Sequence, residues 1–363
     1  MATTDWQCRS RWLDWQPAQR CMCNRRKLSK NHFRNFRRFY APWERMSWWR
    51  SRNMTGEGDQ RSTIHHPAHK KYNLGLIGFP LGHSLSPQLH HAALKAMGLQ
   101  GEYRLYPIPP LPEGLTALHT LLDRLQAGDI QGLNVTIPHK QNVLPRLIHT
   151  SPTVAAVGAA NTLFLRENEL FGENTDIPGF LSDLEDLKPF SSSIALVLGA
   201  GGAARAAVYA MLSAGWQVIL AARRIEQARE LAASLQTALH PSLKPISHTI
   251  PLESASLTNL LNSINIGLIV NTTPVGMFPH PNASPWQSGV PFPPQAAVYD
   301  MIYNPGETML LKQARSAGLK VKNGLGMLVE QAALALELWT GLPVPRKAMW
   351  DAVLPKLEDA HAA

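Results

Sequence analysis

Residues 194–206 read IALVLGAGGAARA. Five consecutive apolar residues, Ile194 to Leu198, predict a buried strand, and the alanine-rich segment behind the glycines predicts a helix. The G-x-G-x-x-A spacing provides a tight turn, a close approach of backbone to a pyrophosphate, and close packing of helix on strand. Because the N-terminus of a helix presents free N–H groups, this turn predicts a dinucleotide-binding Rossmann unit. The expected cofactor-binding residues are Gly199, Ala200, Gly201, Gly202, Ala203 and Ala204.

The next predicted strand, Gln217 to Ala222, is followed directly by two arginines. At this position an NAD-binding protein carries an acidic residue that binds the ribose 2′-hydroxyl. Arg223 and Arg224 stand there instead, and a guanidinium can bind a 2′-phosphate through paired charge-assisted hydrogen bonds. The pair therefore favours NADP over NAD, against the alternative that it is an ordinary solvated strand end.

On the N-terminal side of this unit, from Tyr72 onward, short apolar runs alternate with amphipathic segments. We predict strands at Leu74–Ile77 and Gly132–Ile137 and a helix at Ser86–Met97. This alternation is typical of an α/β protein with largely parallel strands. A chain of 363 residues is long enough for two domains with separate cores.

The positive charge of the chain, +9 overall, is concentrated at its beginning. Residues 1–53 carry 13 Lys and Arg against 3 Asp and Glu, whereas residues 54–363 have a net charge of −1. All three cysteines and six of the ten tryptophans also lie in residues 1–53, so the rest of the chain has neither a disulfide framework nor a thiol nucleophile. This segment shows no sustained helical or strand period, and we predict that residues 1–71 are a disordered basic extension.

Residues 1–53 have three interpretations. A transit peptide fits the arginines but not the low serine content, and an RNA-binding arm fits the arginines and aromatics but lacks a recognisable module. We favour a misplaced start, with Met54 as the first residue of the protein. No stretch approaches the roughly 20 apolar residues of a membrane span and no apolar signal region follows the N-terminal charges, so we expect a cytoplasmic protein.

Seven motifs, in a fixed order, resemble those of the shikimate dehydrogenase family. They are GFPLGHSLSP (Gly78–Pro87), NVTIPHK (Asn134–Lys140), GAANT (Gly158–Thr162), GENTD (Gly172–Asp176), NTTPVGM (Asn271–Met277), DMIYNP (Asp300–Pro305) and NGLGMLVEQ (Asn323–Gln331). The resemblance covers about residues 74 to 340. It implies a substrate domain with a mixed sheet at 72–175, completed by C-terminal helices at 325–363, and a Rossmann-type NADP-binding domain at 176–324.

The resemblance also implies how the site is built. NADPH would supply a hydride to the ketone of 3-dehydroshikimate, giving shikimate, while Lys140 and Asp176 handle the carbonyl oxygen and its proton. Which of the two makes the formal proton transfer stays open. The implied substrate-binding residues are Ser84, Ser86, Asn134, Thr136, Asn161, Tyr303 and Gln331. The further implied cofactor-binding residues are Met301, Gly324 and Met327, of which Met327 packs by the nicotinamide.

Taken alone, each of these residues has a simpler interpretation. Ser84 and Ser86 precede Pro87 as helix-capping hydroxyls commonly do, and Met327 suits a core position. His83 and His139 lack a third ligand at a convincing spacing, so we expect no metal. A homodimer is compatible with the sequence but not specified by it.

Two alternative functions are compatible with parts of the sequence. Quinate or dual quinate/shikimate dehydrogenation on the same scaffold ranks second, because Ser84, Ser86 and Thr136 follow the shikimate-specific pattern. A nucleic-acid-binding protein built on residues 1–53 is disfavoured, because a vestigial enzyme need not retain Lys140, Asp176 and the glycine loop together.

Residues 1–53 are expected to be dispensable for the enzyme. A chain starting at Met54 is expected to match the full chain in activity and melting temperature, and to be more soluble because it lacks exposed tryptophans. A large fall in melting temperature or in activity on truncation would contradict the interpretation of a misplaced start.

Overall fold

A computed structural model describes residues 71–188, 190–238 and 246–362. These residues form two six-stranded β-sheets connected by helices, which confirms the predicted α/β fold. The predicted disorder of the basic extension concerns residues that, apart from Lys71, lie outside the described part of the chain.

The first sheet is mixed. Its strands are β1 (Tyr72–Gly78), β2 (Gly101–Pro107), β3 (Gly132–Val135), β4 (His149–Thr150), β5 (Thr162–Arg166) and β6 (Glu169–Glu173), connected in part by helices α1 (Ser86–Ala96), α2 (Leu115–Gln126) and α3 (Pro152–Val157). The strand order is β2-β1-β3-β5-β6-β4. β1 pairs in parallel with β2 and β3, whereas β5 pairs antiparallel with β3 and β6.

The predicted elements of this half are found, with two errors in where they end. Leu74–Ile77 lies inside β1, and the helix predicted at Ser86–Met97 ends one residue earlier, at Ala96. The strand predicted at Gly132–Ile137 ends at Val135, so the prediction was too long by two residues. The chain turns there because the N–H of His139 donates to the carbonyl oxygen of Thr136, at 2.9 Å.

The second sheet is entirely parallel. Its strands are β7 (Ile194–Leu198), β8 (Gln217–Ala222), β9 (His248–Pro251), β10 (Leu268–Asn271), β11 (Ala297–Asp300) and β12 (Lys320–Asn323). The order β12-β11-β10-β7-β8-β9 reverses direction beside β7, which is the Rossmann topology. The helices between these strands are α5 (Gly202–Ser213), α6 (Ile225–Ala238), α7 (Ser254–Ser263) and α8 (Met309–Ser316). The strands predicted for β7 and β8 have the observed bounds.

The strands at the centre of this sheet are apolar because both of their faces are covered. Leu196, Val197 and Leu198 are completely buried. Parallel strands flanked by helices on both faces therefore have continuous apolar sequences. Burying each such side chain stabilises the fold by about 1.5–3 kcal/mol.

Two helices connect the sheets. Helix α4 (Asp176–Asp183) follows β6 and leads toward the second sheet, and helix α9 (Leu325–Thr340) follows β12 and leads back. Trp339 of α9 donates its indole N–H to the carbonyl oxygen of Leu163 in β5, at 3.1 Å. Helix α10 (Arg346–Ala362) then packs against α1. The C-terminal helices therefore return to the first sheet, as predicted.

Among the described helices, none combines the length and the apolar character needed to cross a membrane.

Candidate active site

The glycine turn after β7 has the geometry that a dinucleotide site requires. Gly199 has a φ of +112°, and a Cβ there would lie 2.7 Å from the Oγ1 of Thr272. At Gly201 and Gly202 a Cβ would meet no atom within 4 Å, and both residues are exposed or nearly so. The N-terminus of α5 thus opens to solvent, and its N-cap, Gly201, has no side-chain cap bond. Its N–H groups and dipole suit a pyrophosphate.

The three alanines predicted for this turn differ in exposure. Ala203 is exposed at the start of α5, and Ala200 is half-buried against the core beneath the turn. Ala204 is completely buried, where its short side chain allows α5 to lie close to the sheet.

Arg223 and Arg224 lie immediately after β8, both exposed. Among the described residues, neither guanidinium has a hydrogen-bond or ion-pair partner. Two such cations beside the glycine turn have the charge and the donors that could bind a ribose 2′-phosphate.

The loops after β11 and β12 meet at the predicted nicotinamide side. A Cβ on Gly324 would lie 2.2 Å from the carbonyl oxygen of Met301, so only glycine fits. Met301 and Met327 are half-buried and pack against the same core cluster. The core interpretation of Met327 and its predicted contact with nicotinamide are therefore compatible.

A buried carboxylate, that of Asp300, accepts hydrogen bonds from the loop after β11 and from the end of β10. Asp300, with no exposed surface, accepts hydrogen bonds from the Nδ2 of Asn271 (2.9 Å), the hydroxyl of Thr308 (2.7 Å) and the N–H of Ile302 (3.1 Å). Burial raises the pKa of Asp300 to about 6, although its three donors act in the opposite direction.

Asp300 is expected to make stability depend on pH. Because its pKa is raised on folding, the folded chain holds a proton that the unfolded chain has released, and stability falls as pH rises from about 4 to about 6. The free energy of unfolding should decrease by about 3 kcal/mol across that window because of Asp300. Asp300→Asn should remove this part of the pH dependence. The free energies of unfolding of variant and wild type, measured in urea, should therefore differ more at neutral than at acidic pH. The exposed Asp129→Asn is the control, and an unchanged slope in Asp300→Asn would contradict the assignment.

Lys140 and Asp176 form an ion pair beside the first sheet. The Nζ of Lys140 lies 2.6 Å from the Oδ2 of Asp176. Lys140 comes from the loop after β3, and Asp176 is the first residue of α4, shortly after the end of β6. The Lys140 side chain is 30% exposed and that of Asp176 is 13% exposed, so the pair is accessible to a ligand.

Asn161 stands at the centre of a buried polar wall next to this pair. Its Oδ1 accepts the N–H of Thr175 at 2.7 Å, and its Nδ2 donates to the Oγ1 of Thr175 at 3.0 Å. A longer contact of 3.5 Å joins Nδ2 to the Oε1 of Gln331 on α9. The wall therefore combines Asn161 immediately before β5, Thr175 immediately before α4 and Gln331 on the returning helix.

Asn134, like Asn161, is a buried amide held by hydrogen bonds within the protein. It is 5% exposed and bonds within the protein: its Oδ1 accepts the hydroxyl of Tyr103 at 2.8 Å, and its Nδ2 donates to the carbonyl oxygen of Asn161 at 3.1 Å. These bonds fix the orientation of the Asn134 amide beside the wall.

Ser84, Ser86 and Thr136 lie where the first strands end. The Oγ of Ser84 accepts the N–H of Ser86 at 3.3 Å, and the N-cap of α1, Leu85, has no side-chain cap bond. Thr136 sits beside the end of β1, where a Cβ on Gly78 would lie 2.3 Å from its Cγ2. From the second half of the chain, Tyr303 packs against the core of the first sheet, and burial raises its pKa.

Some residues of the site carried no signal in the sequence interpretation. Thr175 lay inside the GENTD motif but had no assigned role, and Tyr103 lies outside every motif. Both are recognised only because they bond to Asn161 and Asn134.

The two histidines of the first two motifs, His83 and His139, have different surroundings. His139 is buried with its Nε2 2.8 Å from the carbonyl oxygen of Ile108, and His83 faces the ring of Phe278. The described part of the chain contains no group of three His, Cys, Asp or Glu side chains able to hold a metal ion.

Two family profiles match the chain. The shikimate dehydrogenase substrate binding domain matches residues 76–163, and the shikimate 5′-dehydrogenase C-terminal domain matches residues 324–354. A relative from Synechocystis sp., named shikimate dehydrogenase (NADP(+)), is 41% identical over 288 residues, which is 78% of this chain and 96% of the relative. The chain belongs to the shikimate dehydrogenase family.

Solved structures of this family and its neighbours share the fold. The shikimate 5-dehydrogenase of Thermus thermophilus, solved with NADP(H) and shikimate, is 36% identical with a TM-score of 0.66, covering 80% of this chain and 99% of that one. A quinate dehydrogenase from Corynebacterium glutamicum, solved with NAD, is 30% identical with a TM-score of 0.70, covering 79% and 100%. Fold alone therefore does not separate shikimate from quinate enzymes.

Proposed function

We propose that this chain is an NADP-dependent shikimate dehydrogenase, which reversibly reduces 3-dehydroshikimate to shikimate in aromatic amino acid biosynthesis. The observation that carries the proposal is the 2.6 Å pair of Lys140 and Asp176 in a chain that also carries a Rossmann glycine turn. The 41% identity to a relative named for this activity supports it.

The chemistry assigns distinct tasks to the pair. NADPH, when bound, supplies the hydride to the carbonyl carbon. The Lys140 ammonium donates a hydrogen bond to the carbonyl oxygen and stabilises the negative charge that develops there, and the Lys140–Asp176 pair delivers the proton that completes the hydroxyl. Asp176 holds the ammonium in place and accepts a hydrogen bond from the substrate hydroxyl.

The remaining residues bind and orient the substrate. We propose that Ser84 and Ser86 donate to its carboxylate and that Thr136, Asn161, Tyr303 and Gln331 contact the ring substituents or carboxylate. Asn134 is proposed to bind the substrate as well, with its amide oriented by the bonds to the hydroxyl of Tyr103 and the carbonyl oxygen of Asn161.

The domain division follows the two sheets. We propose a substrate domain at 72–175 completed by 325–363 and an NADP-binding domain at 176–324, with the proposed substrate residues mainly on the first and the glycine turn on the second. The proposal includes a cytoplasmic enzyme acting on small molecules, without a nucleic-acid or membrane partner.

A four-way assay of the purified full chain tests the function. Oxidation of shikimate and of quinate, each with NADP and with NAD, is followed by the absorbance of the reduced cofactor. We expect the highest kcat/KM for shikimate with NADP. Lys140→Ala, purified in parallel, is the control for a contaminating host enzyme. A higher kcat/KM with quinate would favour the quinate dehydrogenase alternative, and absence of all four activities would overturn the proposal.

A further inference from the structure

Asp183, the last residue of α4, lies where the two connecting helices meet. It is 5% exposed, yet it plays no part in the proposed chemistry. Helix α4 begins with Asp176 and α9 carries Met327 and Gln331, so both helices bring residues to the site. The relative position of these helices therefore affects the geometry of the reaction.

Three groups converge on the Asp183 carboxylate. Its Oδ2 accepts the hydroxyl of Tyr299 in β11 at 2.7 Å and the backbone N–H of Met327 at 3.0 Å. Its Oδ1 lies 2.7 Å from the Nζ of Lys322 in β12. Burial and the adjacent carboxylate raise the pKa of Tyr299 well above its ordinary value, so the phenol remains a donor. One carboxylate thus connects α4, two strands and the start of α9.

The contact with α9 depends on a glycine. The N-cap of α9, Gly324, has no side-chain cap bond, and the Asp183 carboxylate caps this N-terminus from the neighbouring helix instead. A Cβ on Gly326 would lie 1.8 Å from the Oδ1 of Asp183. The second glycine of the NGLGM motif therefore provides the space that the carboxylate occupies.

The two helices are also in near backbone contact closer to the site. A Cβ on Gly179 of α4 would lie 3.0 Å from the backbone N of Gln331. Asp176 and Asp183 are seven residues apart, about two turns, so they project from the same side of α4. Because α4 is a short helix, a shift at Asp183 moves Asp176 with respect to Met327 and Gln331.

We propose that Asp183 is a positioning residue for hydride transfer: it fixes α4 against the N-terminus of α9 and so holds Asp176 in register with the nicotinamide side. The kinetic part of this inference rests on the proposed function. Misplacement of reacting groups by about 1 Å can reduce the rate by about 10²-fold without loss of binding.

The first experiment compares Asp183→Asn with Asp186→Asn. Asp186 also contacts Lys322, but its side chain is 77% exposed, so it is a matched control for loss of one lysine partner. In Asp183→Asn, kcat for shikimate oxidation should fall by roughly ten- to a hundredfold while KM for NADP changes little. The isotope effect with shikimate deuterated at the oxidised carbon should rise as hydride transfer becomes rate-limiting. Equal kcat and isotope effect in both variants would overturn the proposal.

The second experiment uses the glycine. Gly326→Ala should lower kcat as Asp183→Asn does, because its methyl group would displace the carboxylate. In the double variant Gly326→Ala/Asp183→Ala, the new methyl group of residue 326 occupies the space that the Asp183 carboxylate has left. The kcat of the double variant should therefore be no lower than that of Asp183→Ala alone. If the double variant instead showed the product of the two single reductions in kcat, the contact between Gly326 and Asp183 would be contradicted.

A measurement without turnover separates this inference from the proposed function. Hydrogen exchange of the peptide spanning residues 324–331 should accelerate in Asp183→Asn, because the Met327 amide loses its charged acceptor, and should be unchanged in Asp186→Asn. If wild type did not oxidise shikimate, the proposed function would fall, whereas the exchange result would still decide whether Asp183 holds α9. If the exchange rate were unchanged in Asp183→Asn, the contact by which Asp183 holds α9 would be contradicted even in an active enzyme.

Discussion

Lys140→Ala is expected to reduce kcat for shikimate oxidation by about 10²- to 10⁴-fold, the usual contribution of a positioned proton-transfer group. Substrate binding should be largely retained, because a group that stabilises charge on the reacting oxygen acts mainly in the transition state. Alanine also leaves the Asp176 carboxylate without its partner at 2.6 Å. The measurements are kcat by steady-state assay and the Kd for shikimate by calorimetry.

Asp176→Asn provides the comparison for this prediction. It should lower kcat similarly but weaken shikimate binding more, because it removes a charged acceptor for a substrate hydroxyl. If Lys140→Ala retained near-native kcat and only raised KM, then Lys140 would be a binding residue, and the proton would have to be handled by another group.

The double change Arg223→Ala/Arg224→Ala is expected to raise KM for NADP by at least about tenfold, with little change for NAD. Hydrogen bonds to a charged group contribute about 1.5–3 kcal/mol each, and about 1.4 kcal/mol corresponds to a factor of ten. Both guanidiniums are exposed directly after β8, so their removal disturbs no packing. The measurement is the ratio of KM values for the two cofactors.

A matched variant separates a specific contact from a general effect of charge. Arg104→Ala/Arg166→Ala removes two exposed arginines from the first sheet and lowers the net charge equally. It should leave both KM values unchanged. Equal increases for NADP and NAD in Arg223→Ala/Arg224→Ala would contradict the assignment of these residues to the 2′-phosphate.

The sequence alone predicted the features that depend on local chemistry. A buried strand, a glycine turn and a helix follow one another in residues 194–206, and each is determined by neighbours within a few positions. The position of the arginines after β8 could be predicted for the same reason, since a strand end fixes where the next side chains lie. The order of the seven motifs led to the family, and the 41% identity to a relative confirmed it.

Other features arise only from chain segments that are distant in sequence. Lys140 and Asp176 are 36 residues apart and Asn161 and Gln331 are 170 apart, so no local pattern could show that their side chains meet. The bond between Tyr103 and Asn134, 31 residues apart, likewise depends on the pairing of β1 with both β2 and β3 in one sheet.

Asp183 shows most clearly what tertiary structure adds. In the sequence it is one acidic residue in an amphipathic helix, of the kind that is usually solvated. Only the folding of α4 beside α9 and the second sheet buries its carboxylate against Tyr299, Lys322 and the Met327 amide. Sequence determined the elements and the chemical groups, because these follow from local contacts. Which groups oppose one another was decided by long-range packing, because it depends on the joint arrangement of segments that the chain brings together only when both sheets have formed.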